Sequence, residues 1–260
     1  MTPGAPATTT TPKAKHGLGV VLVAAGSGQR LGAGIPKALT ELGGRTLLEH
    51  AVSRITALPE PGHLVVVGPA GHEATVRALL DDARGESPWR VTLINGGAER
   101  HDSVRAGLAA LPGDVDCVLV HDAARALAPQ ALFAAVAAEV RRTGAGVVPG
   151  LPVVDTLKRV AADGSVVAGV DRQALVAVQT PQGFPLDLLI RAHERATGTP
   201  TDDAEVLQQL GAPVRTVPGD PLAHKVTTPW DVRVLELALS DLRNTPNPST
   251  TQTRENGSFA

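Results

Sequence analysis

The chain has 260 residues, with 24 Lys+Arg against 26 Asp+Glu and a formal net charge of -2, which disfavours a generally basic nucleic-acid binder but leaves room for a local basic site. Hydrophobic residues at 43% allow a sizeable core, and the single cysteine, Cys117, excludes an internal disulfide and a zinc site built from several thiolates. Aromatics at 2%, with no tyrosine, argue against the ring platforms that bind single-stranded nucleic acid or sugars.

Residues 1–15 are rich in Pro and Thr, lack the apolar centre of a signal peptide, and are expected to form a disordered tail. No run approaches the roughly 20 apolar residues of a membrane span, so a cytoplasmic protein with no membrane partner is expected. The next residues, 16–243, read as one domain. Short valine-rich runs at Val20–Ala24, Leu64–Val67, Val91–Ile94, Cys117–Val120 and Gly146–Val148 predict strands buried on both faces. Between them, residues 46–57 place Leu47, Leu48, Ala51, Val52 and Ile55 on one helical face, and Pro129 suits the first position of a helix ending near Gly144. Strand–helix alternation of this kind predicts an α/β fold with a doubly wound, mostly parallel sheet. The pattern breaks at about 152–180, where Thr156–Val160 and Ser165–Val170 flank Asp163-Gly164, a tight-turn pair. This segment predicts a β-hairpin arm. Helices are expected from Pro185, from a Thr201 cap running to Gly211, and after a Thr228/Asp231 capping box. Residues 244–260 predict a second disordered tail.

Ligands of such sheets bind beyond the carboxyl ends of the strands. The first strand ends in AAGSGQRLGAGIPK, residues 24–37. Gly26 and Gly28 let the backbone approach an anion, and Arg30 and Lys37 add two positive charges, a combination suited to a polyphosphate. Leu31 stands where the dinucleotide fingerprint needs its third glycine, and Lys37 lies between Pro36 and Ala38 rather than in a Gly-Lys-Ser/Thr P-loop. Asp122, in VLVHDAAR, follows a buried strand; it could hold magnesium or cap a helix. His121 beside it is expected to be packed. In GGAERHDSV, residues 96–104, backbone groups could read a base, while Asp102 or Ser103 could simply cap the next helix. On the arm, Asp155, Thr156, Lys158 and Arg172 either cover a substrate, clasp a second subunit or form a solvated face. Lys225 alone, before the last helix, carries no argument.

Together and in this order, these segments resemble the 2-C-methyl-D-erythritol 4-phosphate cytidylyltransferases of non-mevalonate isoprenoid biosynthesis. The likeness runs from about Gly19 to Leu242 and rests on GG..R..SV, VHDAAR, P..DT.K, VDR, TPQ.F, TDDA and KVT. The resemblance implies a Rossmann-like domain of the nucleotide-diphospho-sugar transferase type, with a β-arm that interlocks a homodimer. It implies CTP and 2-C-methyl-D-erythritol 4-phosphate as substrates, and Mg2+ or another divalent cation held by Asp122. Ala24, Ala25, Gly26, Gly28, Gly97 and Ser103 would bind the nucleotide. Arg30, Lys37 and Lys225 would act on the phosphates. Thr156 and Arg172 would hold the methylerythritol phosphate, from the neighbouring subunit.

Three positions depart from the family pattern. Ala126 replaces a common proline, Ala223 a usual asparagine, and Ala98 an acidic residue found near the base in some members. The rival readings at this point are a ribitol 5-phosphate cytidylyltransferase, a sugar-phosphate nucleotidyltransferase using UTP or GTP, and a non-catalytic nucleotide-binding protein of the same fold.

Overall fold

The computed structural model describes residues 17–28, 31–32 and 34–244. Arg30 and both expected tails, apart from Asn244, lie outside the described residues. In chain order, β1 (Gly17–Val23), β2 (Glu41–Leu42) and β3 (Arg45–Thr46) lead into α1 (Leu47–Thr56). Then β4 (His63–Gly68), α2 (Glu73–Arg84), β5 (Arg90–Asn95), α3 (Arg100–Ala109) and β6 (Val115–Asp122) alternate. Next come α4 (Gln130–Thr143), β7 (Gly146–Pro152) and the hairpin β8 (Leu157–Val160) and β9 (Val166–Val170). The chain continues with β10 (Val176–Val178), β11 (Gln182–Pro185), α5 (Leu186–Arg195), α6 (Asp203–Gln209), β12 (Val214–Pro218) and α7 (Pro229–Asn244).

The main sheet runs β10-β7-β11-β6-β1-β4-β5, with β12 also on β7. β1 is parallel to β4 on one side and β6 on the other. Helices cover both faces, which is why Val20, Val21 and Leu22 are all buried. Because the chain leaves β1 toward β4 and β5 and later returns to β6, the sheet has its switch point at β1/β6. Register there places Val23 opposite Asp122 and beside Val67, so the carboxyl ends of β1, β4 and β6 form one edge.

Thr46 starts α1 with a reciprocal cap. Its Oγ1 accepts from the Glu49 amide at 3.2 Å, while Glu49 Oε2 accepts from the Thr46 amide at 2.6 Å. Leu48, Ala51, Val52 and Ile55 join the main core; Leu47 faces a smaller cluster with Leu42, Leu127, Val226, Leu235 and Leu239. Gly144 ends α4 with φ +66°, the left-handed geometry glycine tolerates.

Several boundaries differ from the sequence reading. Ala24 lies just beyond β1. Pro129 is the N-cap of α4 rather than its first residue. Asp202, not Thr201, caps α6 by accepting from the Glu205 amide at 2.8 Å; Thr201 instead donates through its own amide to Glu205. The Thr228/Asp231 box is present: Asp231 Oδ2 accepts from the Thr228 amide at 2.7 Å. The arm also ends earlier than expected, because β10 pairs antiparallel with the end of β7. β8 and β9 form their own two-stranded sheet, with Gly164 at φ +83° in the turn.

Candidate functional site

At the carboxyl edge of β1 and β6 lies a cavity of about 420 Å³. Its floor is Asp122, the last residue of β6. The side chain is 10% exposed and caps no helix. Its Oδ2 accepts from Lys225 Nζ at 2.7 Å, and its Oδ1 from Arg100 Nε at 3.3 Å. Burial alone would raise this carboxyl, but Arg100 and Lys225 outweigh it and hold Asp122 well below the usual carboxylate range. The Asp122 amide donates to Thr180 Oγ1 at 3.0 Å, which ties the strand end to the β10–β11 connection.

One wall is the loop after β1. The Ala24 amide donates to Val67 O at 2.9 Å, and the Lys37 amide to Gly26 O at 3.1 Å, so the loop folds back and brings Lys37 to the cavity beside Ala24, Ala25 and Gly26. Among the described residues nothing lies within 4 Å of where a Gly26 Cβ would project, whereas Gly28 needs its φ of +71° and packs on the Lys37 backbone. Gly28 thus shapes the loop without lining the cavity. Lys37 Nζ donates to Val226 O at 3.1 Å.

The opposite wall is the turn into α3. A Cβ on Gly97 would sit 2.4 Å from the Asp102 Cβ, so this glycine is required by close packing. Ser103 Oγ accepts from the Gly97 amide at 3.1 Å and donates to Glu99 O at 3.2 Å; it fixes the turn while lining the cavity. Asp102 accepts from the Glu99 amide at 3.2 Å, the capping role open to it.

Lys225 is set from behind. Val226 is buried in the small α7 cluster, and its amide donates to Ala124 O at 2.8 Å. The backbone of a lysine that carries no argument in the sequence is therefore held beside Asp122 by its neighbour's packing, while its side chain stays 38% exposed. His121 points to the other side of β6: its Nδ1 meets Thr180 Oγ1 at 3.1 Å, its ring lies 4.8 Å from Phe133, and burial pushes it down to about 4.

The cavity brings together Ala24, Ala25, Gly26, Lys37, Gly97, Ser103, Asp122 and Lys225. Thr156 and Arg172 are exposed and do not line it. Arg172 Nη1 donates to Val154 O within the arm. Two residues escaped the sequence reading. Arg100 lies within the quoted GGAERHDSV segment, but only the fold brings it to Asp122. Arg125 Nη1 donates to Ala223 O at 2.7 Å and its Nη2 to Val178 O at 3.3 Å, joining three segments around the cavity.

Such an edge, with a glycine turn, Lys37, Lys225 and the Asp122 carboxylate, is suited to a nucleoside triphosphate. The profile of the 2-C-methyl-D-erythritol 4-phosphate cytidylyltransferases matches residues 18–241. The chain belongs to this family. A protein named bifunctional enzyme IspD/IspF from Clavibacter michiganensis is 57% identical over 236 residues; the match covers 91% of this chain but 58% of that longer protein. A 2-C-methyl-D-erythritol 4-phosphate cytidylyltransferase from Nocardia farcinica is 50% identical, covering 83% of this chain and 91% of its own. Among solved structures, the Thermus thermophilus member of this family is 34% identical, with a TM-score of 0.68 over 85% of this chain and 98% of that one. A 4-diphosphocytidyl-2C-methyl-D-erythritol synthase from Anaerococcus prevotii has a TM-score of 0.74 at 25% identity, over 86% and 98% of the two chains. The main sheet of this chain is that α/β architecture.

Proposed function

We propose that the chain joins CTP to 2-C-methyl-D-erythritol 4-phosphate, giving 4-diphosphocytidyl-2-C-methyl-D-erythritol and pyrophosphate, as a step of isoprenoid precursor synthesis in the cytoplasm. The observation that carries this reading is the convergence of Lys37, Lys225 and Asp122 on one cavity that Gly26 also lines. Among the described residues, no helix is long and apolar enough to cross a membrane.

The acceptor phosphate is already a nucleophile, so no strong base is required. One of its oxygens attacks the α-phosphorus of CTP in line; the bond to the β-phosphate oxygen breaks and pyrophosphate departs with the electron pair. The barrier lies in bringing two anions together, and positioning with charge neutralisation lowers it. Lys37 and Lys225 stabilise charge on the α-phosphate and the leaving group, together with Arg30 by family resemblance. Ala24, Ala25, Gly26, Gly97 and Ser103 surround the nucleoside, with Gly28 holding the loop in shape.

Asp122 would hold magnesium or another divalent cation. The donor set fits: Asp122 lines the cavity, and magnesium commonly takes one or two carboxylates plus waters and substrate phosphates. A carboxylate offers about four acceptor directions, and Arg100 and Lys225 use two of them. When bound, the ion would neutralise triphosphate charge.

Thr156 and Arg172 are assigned to the acceptor phosphate of a neighbouring subunit. Supporting this, the arm exposes Val154, Val160, Val166 and Val167, apolar surface that a second copy would cover. The test is pyrophosphate release with CTP and magnesium, with methylerythritol 4-phosphate and ribitol 5-phosphate run in parallel. Release with methylerythritol 4-phosphate alone supports the reading. Release with ribitol 5-phosphate alone moves the acceptor assignment, and release with neither, for any nucleotide, favours a binding protein.

A further inference from the structure

Behind Asp122 the contacts continue away from the cavity. Arg100 Nη1 donates to Asp203 Oδ2 at 2.8 Å, and His193 Nε2 donates to Asp203 Oδ1 at 3.2 Å. Asp203 is 1% exposed, and neither it nor His193 lines the cavity. Packing does not call for a carboxylate there: exchanging a buried ion pair for apolar residues of similar volume is often neutral or stabilising. The start of α6 is also clamped to β11. Gln182 Nε2 donates to Asp202 Oδ2 at 2.9 Å, and the Ala204 amide donates to Gln182 Oε1 at 3.2 Å. Asp203 is thus a fixed anchor.

A guanidinium is a rigid plane, so pinning Nη1 aims Nε. Arg100 is 28% exposed and borders the cavity. Without Asp203 it could turn to incoming phosphates, which bind arginine strongly. We propose that Asp203 and His193 are positioning residues for the reaction, acting through Arg100 to hold the Asp122 carboxylate at the cavity floor. Lys225, at 38% exposure, is then the partner able to leave Asp122 for a phosphate. This inference deepens the cytidylyltransferase reading and rests on it.

The test compares the wild type, Asp203→Asn, Arg100→Gln and the double variant. Four quantities are read: kcat, the KM of each substrate, the magnesium concentration for half-maximal rate, and calorimetric CTP affinity with and without magnesium. Asp203→Asn should raise the half-maximal magnesium concentration about 10–100-fold, the range for losing a partner of a metal-holding side chain. It should also erode the magnesium-dependent gain in CTP affinity. In the Arg100→Gln background the same change should add less than about twofold, since both act on one path. Additive losses, or an unmoved magnesium requirement with only a lower Tm, would overturn the proposal. If Asp203→Asn does not fold, His193→Gln carries the test: a magnesium shift in the same direction is expected, and none would overturn it. A wild type that binds and turns over no CTP sinks the enzyme reading and the proposal together, whereas an active wild type with indifferent variants sinks the proposal alone.

Discussion

Asp122→Asn separates chemistry from stability. The side chain keeps its shape but loses its charge, so two charge-assisted hydrogen bonds, each worth about 1.5–3 kcal/mol, are weakened. Opposing this, the cost of burying a carboxylate disappears. Neither partner is stranded: Arg100 keeps Asp203 at 2.8 Å, and Lys225 can turn to solvent. The net loss should be about 1–2 kcal/mol, or a fall in Tm of a few degrees at about 2–4 °C per kcal/mol. Turnover should fall far more, about 100–1000-fold, the effect of removing one preorganised electrostatic group. The pH dependence has a definite sign. Asp122 titrates lower in the native state than the ordinary value of about 3.9, so its stabilisation is full above about pH 4 and is lost as pH falls further. The Tm values of variant and wild type should therefore converge on acidification. Pyrophosphate release and thermal melts on the same samples decide the matter. A folded variant keeping more than about a tenth of wild-type turnover would remove Asp122 from the chemistry, because a tenfold loss is only about 1.4 kcal/mol.

Lys37→Ala should cut kcat by a few hundred-fold, about 3–4 kcal/mol, and near-normal turnover would exclude it from the phosphate site. Arg172→Ala should raise the KM for methylerythritol 4-phosphate more than that for CTP; the reverse order would show the arm assignment to be wrong. At its Cβ, Gly26→Val meets no atom of the described residues within 4 Å, so stability should change by no more than about 0.5 kcal/mol while the KM for CTP rises about tenfold or more. His121 should make the protein acid-sensitive before Asp122 does. Its pKa falls from 6.5 to about 4 on folding, so the unfolded chain takes up a proton that the native state refuses. Stability should drop by about 3 kcal/mol as pH falls from about 6.5 to about 4, and a flat urea-unfolding profile across that window would refute the buried neutral imidazole.

The strands that build the site were legible because burial on both faces demands continuous apolar runs, and Val20, Leu64 and Val118 belong to such runs. β11 and β12 were not. QGFP is short and carries Gly and Pro, and VRTVP is a half-exposed strand, so neither shows the apolar signal. Asp122 could be picked out by its place at a strand end. Local pattern could not pair it with its partners: Lys225, named only through the family resemblance, lies 103 residues along the chain, and Arg100 is separated from Asp203 by the same distance. Pairings of that span depend on how crossovers return the chain to one sheet edge, which local periodicity does not encode. The Thr201 cap failed for a local reason, since Asp202 competes for the same helix terminus.

The most direct measurement is a crystal structure with CTP and magnesium. A nucleotide is expected in the cavity above β1 and β6, with the ion on Asp122 and the α-phosphate within hydrogen-bonding reach of Lys37 or Lys225. A triphosphate bound elsewhere, or bound here with both lysines turned away, would contradict it.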